Sequence, residues 1–216
     1  MTRRDRFLLA CLVVSRVALS LAVLFDEPGR FRQWEESYNA TIGHFLWATG
    51  RWEQLLALQY KSFCGGCTVN TVLAAPLLAL GDHLLLWKCV PLGWTVATHV
   101  LGFMALDRRV NRAAAWAWAV LFALPMPGLA YLDLMAWGNH AESAAFVLLA
   151  LCLPDRPFAL GLTLGLGVWF CRTTLYAAVL AVPALIGPHR LRFAAGLVAG
   201  LSPLFLPAAQ GDQGAY

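Results

Sequence analysis

Charge is what this sequence has least of. Lys, Arg, Asp and Glu make up 13% of its 216 residues, about half the share usual in soluble domains. That deficit excludes an ordinary water-soluble enzyme, a disordered chain and a nucleic-acid-binding module, so nucleic acid is not an expected partner. Paired metal-binding cysteines are missing too. Cys64-Gly65-Gly66-Cys67 has no second pair to complete a zinc site, and no strand-helix pattern around it supports redox catalysis. No internal repeat and no evident charged pair at mid-membrane point to a transporter. What is abundant is apolar: 60% of the residues are hydrophobic, with nine Trp, five Tyr and twelve Phe, and the mean hydropathy is +0.64. The expected solvent, and first partner, is a lipid bilayer. The net charge of +4 then concerns orientation rather than polyanion binding.

The distribution of apolar stretches predicts an all-α polytopic membrane protein of about seven transmembrane helices. Phe7 to Phe25 is a first span, interrupted by Arg16; a cleavable signal peptide is the alternative, but no small-residue cleavage site precedes Asp26. Leu84 to Leu106, Ala113 to Leu124 and Met135 to Leu153 follow. Phe158 to Ile186 reads as two short spans divided at Arg172, and Phe193 to Leu206 as the last. Arg3, Arg4, Arg6, Arg108, Arg109, Arg112, Arg156, Arg190 and Arg192 then share one side, which predicts a plasma (inner) membrane protein with a cytoplasmic N-terminus. Gly161 and Gly165, and Gly196 and Gly200, have the spacing that lets helices approach closely. Cys11, Cys89, Cys152 and Cys171 fall in apolar spans and read as packing residues.

The acids gather on the other side, in two loops. The first outer loop, residues 26–83, is far longer than a bundle connection needs. Phe31, Trp34, Tyr38, Ile42 and Phe45 recur at helical steps there, which predicts an amphipathic helix in the interface. Carboxylates that lose water are better proton acceptors near neutral pH, which makes Glu35 and Glu36 candidates; a solvated polar face is the other reading. The second outer loop, residues 125–142, carries Asp133, His140 and Glu142. Ionisable groups at membrane level cost roughly 2.5–3.5 kcal/mol each on insertion scales, so they tend to have a partner or a task. His140 and Glu142 could hold a divalent metal at an irregular helix start; no other cofactor is indicated. Arg172 is a counter-charge for a phosphate or for Asp133 or Glu142. Cys64 and Cys67 could close a small disulfide or stay as thiols.

Trp34-Glu35-Glu36-Ser37-Tyr38-Asn39-Ala40, then Ala74-Ala75-Pro76-Leu77 with Gly81-Asp82, then Gly138-Asn139-His140-Ala141-Glu142, together resemble the GT-C superfamily. These are polyprenyl-phosphate-sugar-dependent membrane glycosyltransferases, including protein O-mannosyltransferases and the aminoarabinose transferase of lipid A. The first stretch is similar to the family's Asp-Glu-x-x-Tyr-Ala pattern, with Glu35 where the family has Asp. The resemblance implies transfer of one sugar from a polyprenyl-phosphate donor to an acceptor hydroxyl on the extracytoplasmic face. It implies catalytic roles for Glu35, Glu36 and Asp133, donor-phosphate binding by Arg172, Lys61 and His140, and acceptor or sugar binding by Tyr38, Trp34 and Glu142. Residues 1–216 would be the family's seven-helix module, completed by further helices or by a partner subunit supplying the C-terminal region. A non-catalytic membrane scaffold built on the same module is the alternative.

Overall fold

The computed structural model describes residues 1–26, 34–59, 65–81, 84–136 and 142–206, with backbone only at 34–36, 59, 84 and 127. Among these residues all regular structure is helical. The order is α1 (Arg3–Asp26), α2 (Trp34–Thr49), a 3-10 turn (Trp52–Gln54), α3 (Leu55–Gln59), α4 (Gly65–Leu78), α5 (Leu84–Arg109), α6 (Arg112–Ala123), α7 (Pro127–Leu132), α8 (Ser143–Leu151) and α9 (Pro157–Phe170). A 3-10 segment (Arg172–Ala181) runs into α10 (Val182–Ile186), and α11 (Arg190–Leu201) ends in a 3-10 turn (Ser202–Phe205).

Two of these helices are long and apolar enough to cross a membrane, α1 and α5. Their 24 and 26 residues extend about 36 and 39 Å at 1.5 Å per residue, more than the roughly 30 Å hydrocarbon core. The remaining expected spans coincide with shorter helices: α6 and α11 have 12 residues each, α9 has 14 and α8 has nine. The break anticipated at Arg172 falls at Cys171, whose extended backbone ends α9. Of the span expected from Met135 to Leu153, Ser143–Leu151 is helical and Met135 and Ala136 are not, while residues 137–141 lie outside the described residues. The Leu134 carbonyl accepts from Lys88 Nζ at 2.7 Å, at the end of a turn in which the Leu134 and Met135 amides donate to the Tyr131 and Leu132 carbonyls.

The α5 helix is the axis of the molecule, packing against α1, α4, α6 and α8. At one end of it, Arg112 pairs with Asp107 at 2.8 Å and with Asp5 at 2.5 Å, and stacks on Phe103 with its guanidinium carbon 5.0 Å from the ring centroid. That joins the start of α1, the end of α5 and the start of α6, where the Asn111 side chain caps α6 by accepting from the Ala114 amide. Arg108 and Arg109 donate to the Cys152 and Leu151 carbonyls, satisfying groups that the end of α8 leaves without helical partners. The arginines that orient the chain in the sequence reading are thus also the clamps that hold four helix ends together.

Beside this axis, α2 packs on α4 through a stripe of Asn39, Ile42 and Leu46, all buried. Phe45, Trp47 and Trp52 stay exposed, so the apolar residues of the interfacial stretch divide between an inner face against α4 and an outer one. Gly50, with φ 67, ends α2 in the left-handed conformation that glycine adopts without penalty. Cys11 and Cys89 are exposed rather than packed, whereas Cys152 and Cys171 are buried. Cys67 is disulfide-bonded, and its expected partner Cys64 lies outside the described residues.

The closest helix packing joins α9 to α11. A Cβ at Gly165 would come within 2.6 Å of the Leu197 carbonyl oxygen, and one at Gly200 within 2.5 Å of the Leu162 carbonyl oxygen; Gly161 and Gly196 face Phe193 and Phe158 carbonyls equally closely. Backbone lies on both sides, so nothing there can rotate away. Gly165→Leu should therefore lower unfolding stability in detergent by about 1–3 kcal/mol or more, as overpacking does. Gly128→Ala in α7, where a Cβ meets nothing within 4 Å, should leave it unchanged. Equal behaviour of the two variants in a denaturant titration would refute this packing.

Candidate functional site

An arginine in an apolar helix must find acceptors inside the protein, because lipid offers none. Arg16 lies just past the middle of α1 and is 1% exposed. Its Nη2 pairs with Asp133 Oδ2 at 2.5 Å, its Nη1 donates to the Phe122 carbonyl at 2.8 Å, and its guanidinium carbon lies 4.4 Å from the Phe122 ring centroid. Ser20, one turn on along α1, donates to the same Asp133 carboxylate at 3.1 Å. Proline at the start of α7 and the short length of that helix bring Asp133 inward just after Leu132. The sequence shows Arg16 as an interruption in an apolar run and Asp133 as a loop acid. The fold makes them one buried ion pair.

Next to this pair is a cavity of about 150 Å³, lined among others by Arg16, Asp133, Thr95, Thr98, Trp94 and Glu142. Glu142 is 2% exposed and accepts from Asn70 Nδ2 at 3.2 Å; Asn70 in turn accepts from the Trp94 indole at 2.9 Å. The site therefore draws on α1, α4, α5, the end of α7 and the approach to α8. A second hollow, an apolar groove of about 400 Å³ between α4 and α5, is lined by Leu73, Pro76, Leu77, Val90 and Gly93 among others. Trp94 belongs to both walls. Both hollows are largely apolar; the cavity differs in carrying Arg16, Asp133 and Glu142 on its wall, and the two share one indole.

The residues singled out from sequence divide into three groups. Asp133 and Glu142 line one cavity. Tyr38 is half-buried and its hydroxyl donates to the Leu58 carbonyl at 3.1 Å, tying α2 to α3. Arg172 is exposed at the head of its 3-10 segment and does not line the cavity. Of Trp34, Glu35 and Glu36 only the helical backbone of α2 is described, while Lys61, Cys64 and His140 lie outside the described residues. Among the described residues no three His, Cys, Asp or Glu side chains cluster as metal ligands. Asn70 and Lys88, both fully buried, carried no signal in sequence: a short amide in a polar stretch and a cation near a helix start look like surface residues. Arg16 did carry one, as the lone cation of its span.

Removing one partner of a buried pair leaves a charge uncompensated, which typically costs about 3–5 kcal/mol, while replacing both by apolar residues is often close to neutral. Asp133→Leu should accordingly destabilise the folded protein far more than Arg16→Met/Asp133→Leu. A double variant less stable than both singles, measured by thermal unfolding in detergent, would show that the pair is not the unit described. The chain matches no family model, no curated protein and no solved structure, so the reading of this site rests on its side chains alone.

Proposed function

We propose that the chain is the core of a membrane glycosyltransferase, moving a sugar from a polyprenyl-phosphate donor to an acceptor hydroxyl at the membrane surface. The observation that carries this reading is the juxtaposition of a buried carboxylate, Glu142, on the wall of a largely apolar cavity with an apolar groove that shares Trp94. An amphiphile fits that arrangement: its chain lies in the groove and its head meets Glu142 in the cavity. Glu142 takes up the acceptor hydroxyl and accepts its proton as the bond to the sugar forms, a contribution worth roughly 10²–10⁴-fold in rate. The leaving phosphate gains charge as its bond to the sugar breaks and needs a cation. Lys61, His140 and Arg172 are the candidates that the GT-C resemblance supplies, and Glu35 is the further carboxylate it nominates. The extracytoplasmic placement of the site and the plasma (inner) membrane location belong to the same proposal.

One observation favours a second reading, the non-catalytic scaffold. Arg16 and Asp133 neutralise one another and are held by Ser20 and the Phe122 carbonyl, which is what a purely structural junction needs. Their buried pairing also supplies one mark of a transporter, although the sequence shows no repeated half to go with it. Purified protein reconstituted in liposomes with a labelled polyprenyl-phosphate sugar separates these readings. We expect saturable lipid binding, sugar transfer to an acceptor, and a loss of transfer of about 10²-fold or more in folded Glu142→Gln. Absence of lipid binding would leave the scaffold; undiminished transfer by Glu142→Gln would remove this residue from the chemistry.

A further inference from the structure

The orientation of one buried amide is decided by an indole, and it dictates what its carboxylate neighbour must be. An indole N–H can only donate, and that of Trp94 donates to Asn70 Oδ1 at 2.9 Å. The far end of the Asn70 amide is therefore its NH₂ group, which donates to Glu142 Oε1 at 3.2 Å. That oxygen of Glu142 is thereby committed to accepting. With the amide turned round, the Asn70 carbonyl would face the Glu142 carboxylate and its NH₂ group the indole N–H, setting acceptor against acceptor and donor against donor.

Trp94 is itself held in place. Its ring centroid lies 5.1 Å from that of Phe170 in α9 and 5.9 Å from that of Phe146 in α8, and those two phenyl rings are 4.9 Å apart. Asn70 is fully buried, and the hydroxyl of the next residue, Thr71, donates to the Asn39 carbonyl of α2 at 3.3 Å. We propose that Asn70, locked by Trp94, is a positioning residue that holds Glu142 as a hydrogen-bond acceptor aimed into the cavity. The identity of the hydroxyl that Glu142 meets there rests on the glycosyltransfer reading; the locking of Glu142 does not.

Three variants test it. Asn70→Asp preserves shape but sets a second acceptor against Glu142, whereas Asn70→Ala removes both shape and donor. In Asn70→Asp/Glu142→Gln the amide and the carboxylate change places, and the Trp94 indole still finds an acceptor oxygen at position 70. In unfolding of the purified protein in detergent, Asn70→Asp should lower the midpoint more than Asn70→Ala does, and the double variant should recover most of that loss. In liposomes, Asn70→Ala should cut kcat for sugar transfer roughly ten- to hundredfold, the weight of one hydrogen bond to a charged group, with the KM for the lipid donor unchanged. The double variant should stay inactive although folded.

A space-filling role for Asn70 gives the reverse order, with Asp tolerated and Ala harmful, and either that order or a failure of the double variant to recover stability overturns the proposal. A drop confined to KM overturns it as well. Absence of transfer by the wild-type protein would sink the glycosyltransfer reading, and the unfolding measurements would still decide the role of Asn70.

Discussion

A buried charge has to be matched within the protein, and in this molecule that requirement organises the helices. Arg16 can sit inside α1 because Asp133, itself held by Ser20, and the Phe122 carbonyl converge on it. Meeting it fixes the rotation of α1, draws the end of α7 inward and holds α6 against both. Lys88 makes a comparable demand on α5, met in part by the Leu134 carbonyl directly after Asp133. Two buried cations thus bear on the same few residues, Asp133 and Leu134, at the turn that ends α7, where the Asp133 and Leu134 amides still donate to the Leu129 and Tyr131 carbonyls.

Apolar packing supplies the rest of the frame in separate patches. Leu24, Leu92, Leu134 and Met135 form one core beside the ion pair, and Leu9, Phe103, Ala115 and Ala119 another nearer the arginine-rich end. A third, built on Leu160, Leu164, Ala177 and Phe193, belongs to the C-terminal helices, where glycine faces let backbones meet. In lipid, such close contact is a main source of helix association, since burying apolar surface there gains little over leaving it among acyl chains. The exposed apolar residues of this region, among them Tyr176, Ile186, Leu191 and Phe205, suit lipid contact in the same way.

The candidate site illustrates how far a pattern of residues can be read. Asp133 and Glu142 were visible as costly acids at a helix mouth, and the cost of burying them was a sound reason to look there. Arg172, read as a counter-charge for a phosphate or for one of these acids, is exposed at the head of its 3-10 segment, and the cation that meets Asp133 comes from the first helix, 117 positions earlier in the chain by subtraction of the two residue numbers. Nothing local in the sequence encodes such a pairing. Asn70 was less legible still, because its importance comes from the donor-only chemistry of an indole on a different helix.

Composition alone determined that this is an all-helical chain suited to lipid, because hydropathy and helical periodicity are local properties that survive without knowledge of neighbours. The same holds for the helix break beside Arg172 and for the small-residue faces of α9 and α11, each written in a few consecutive positions. Only the tertiary structure decided which helices are long enough to cross and which polar groups meet. Those outcomes depend on the direction in which each buried donor or acceptor finds its partner, and in lipid that partner must come from elsewhere in the chain.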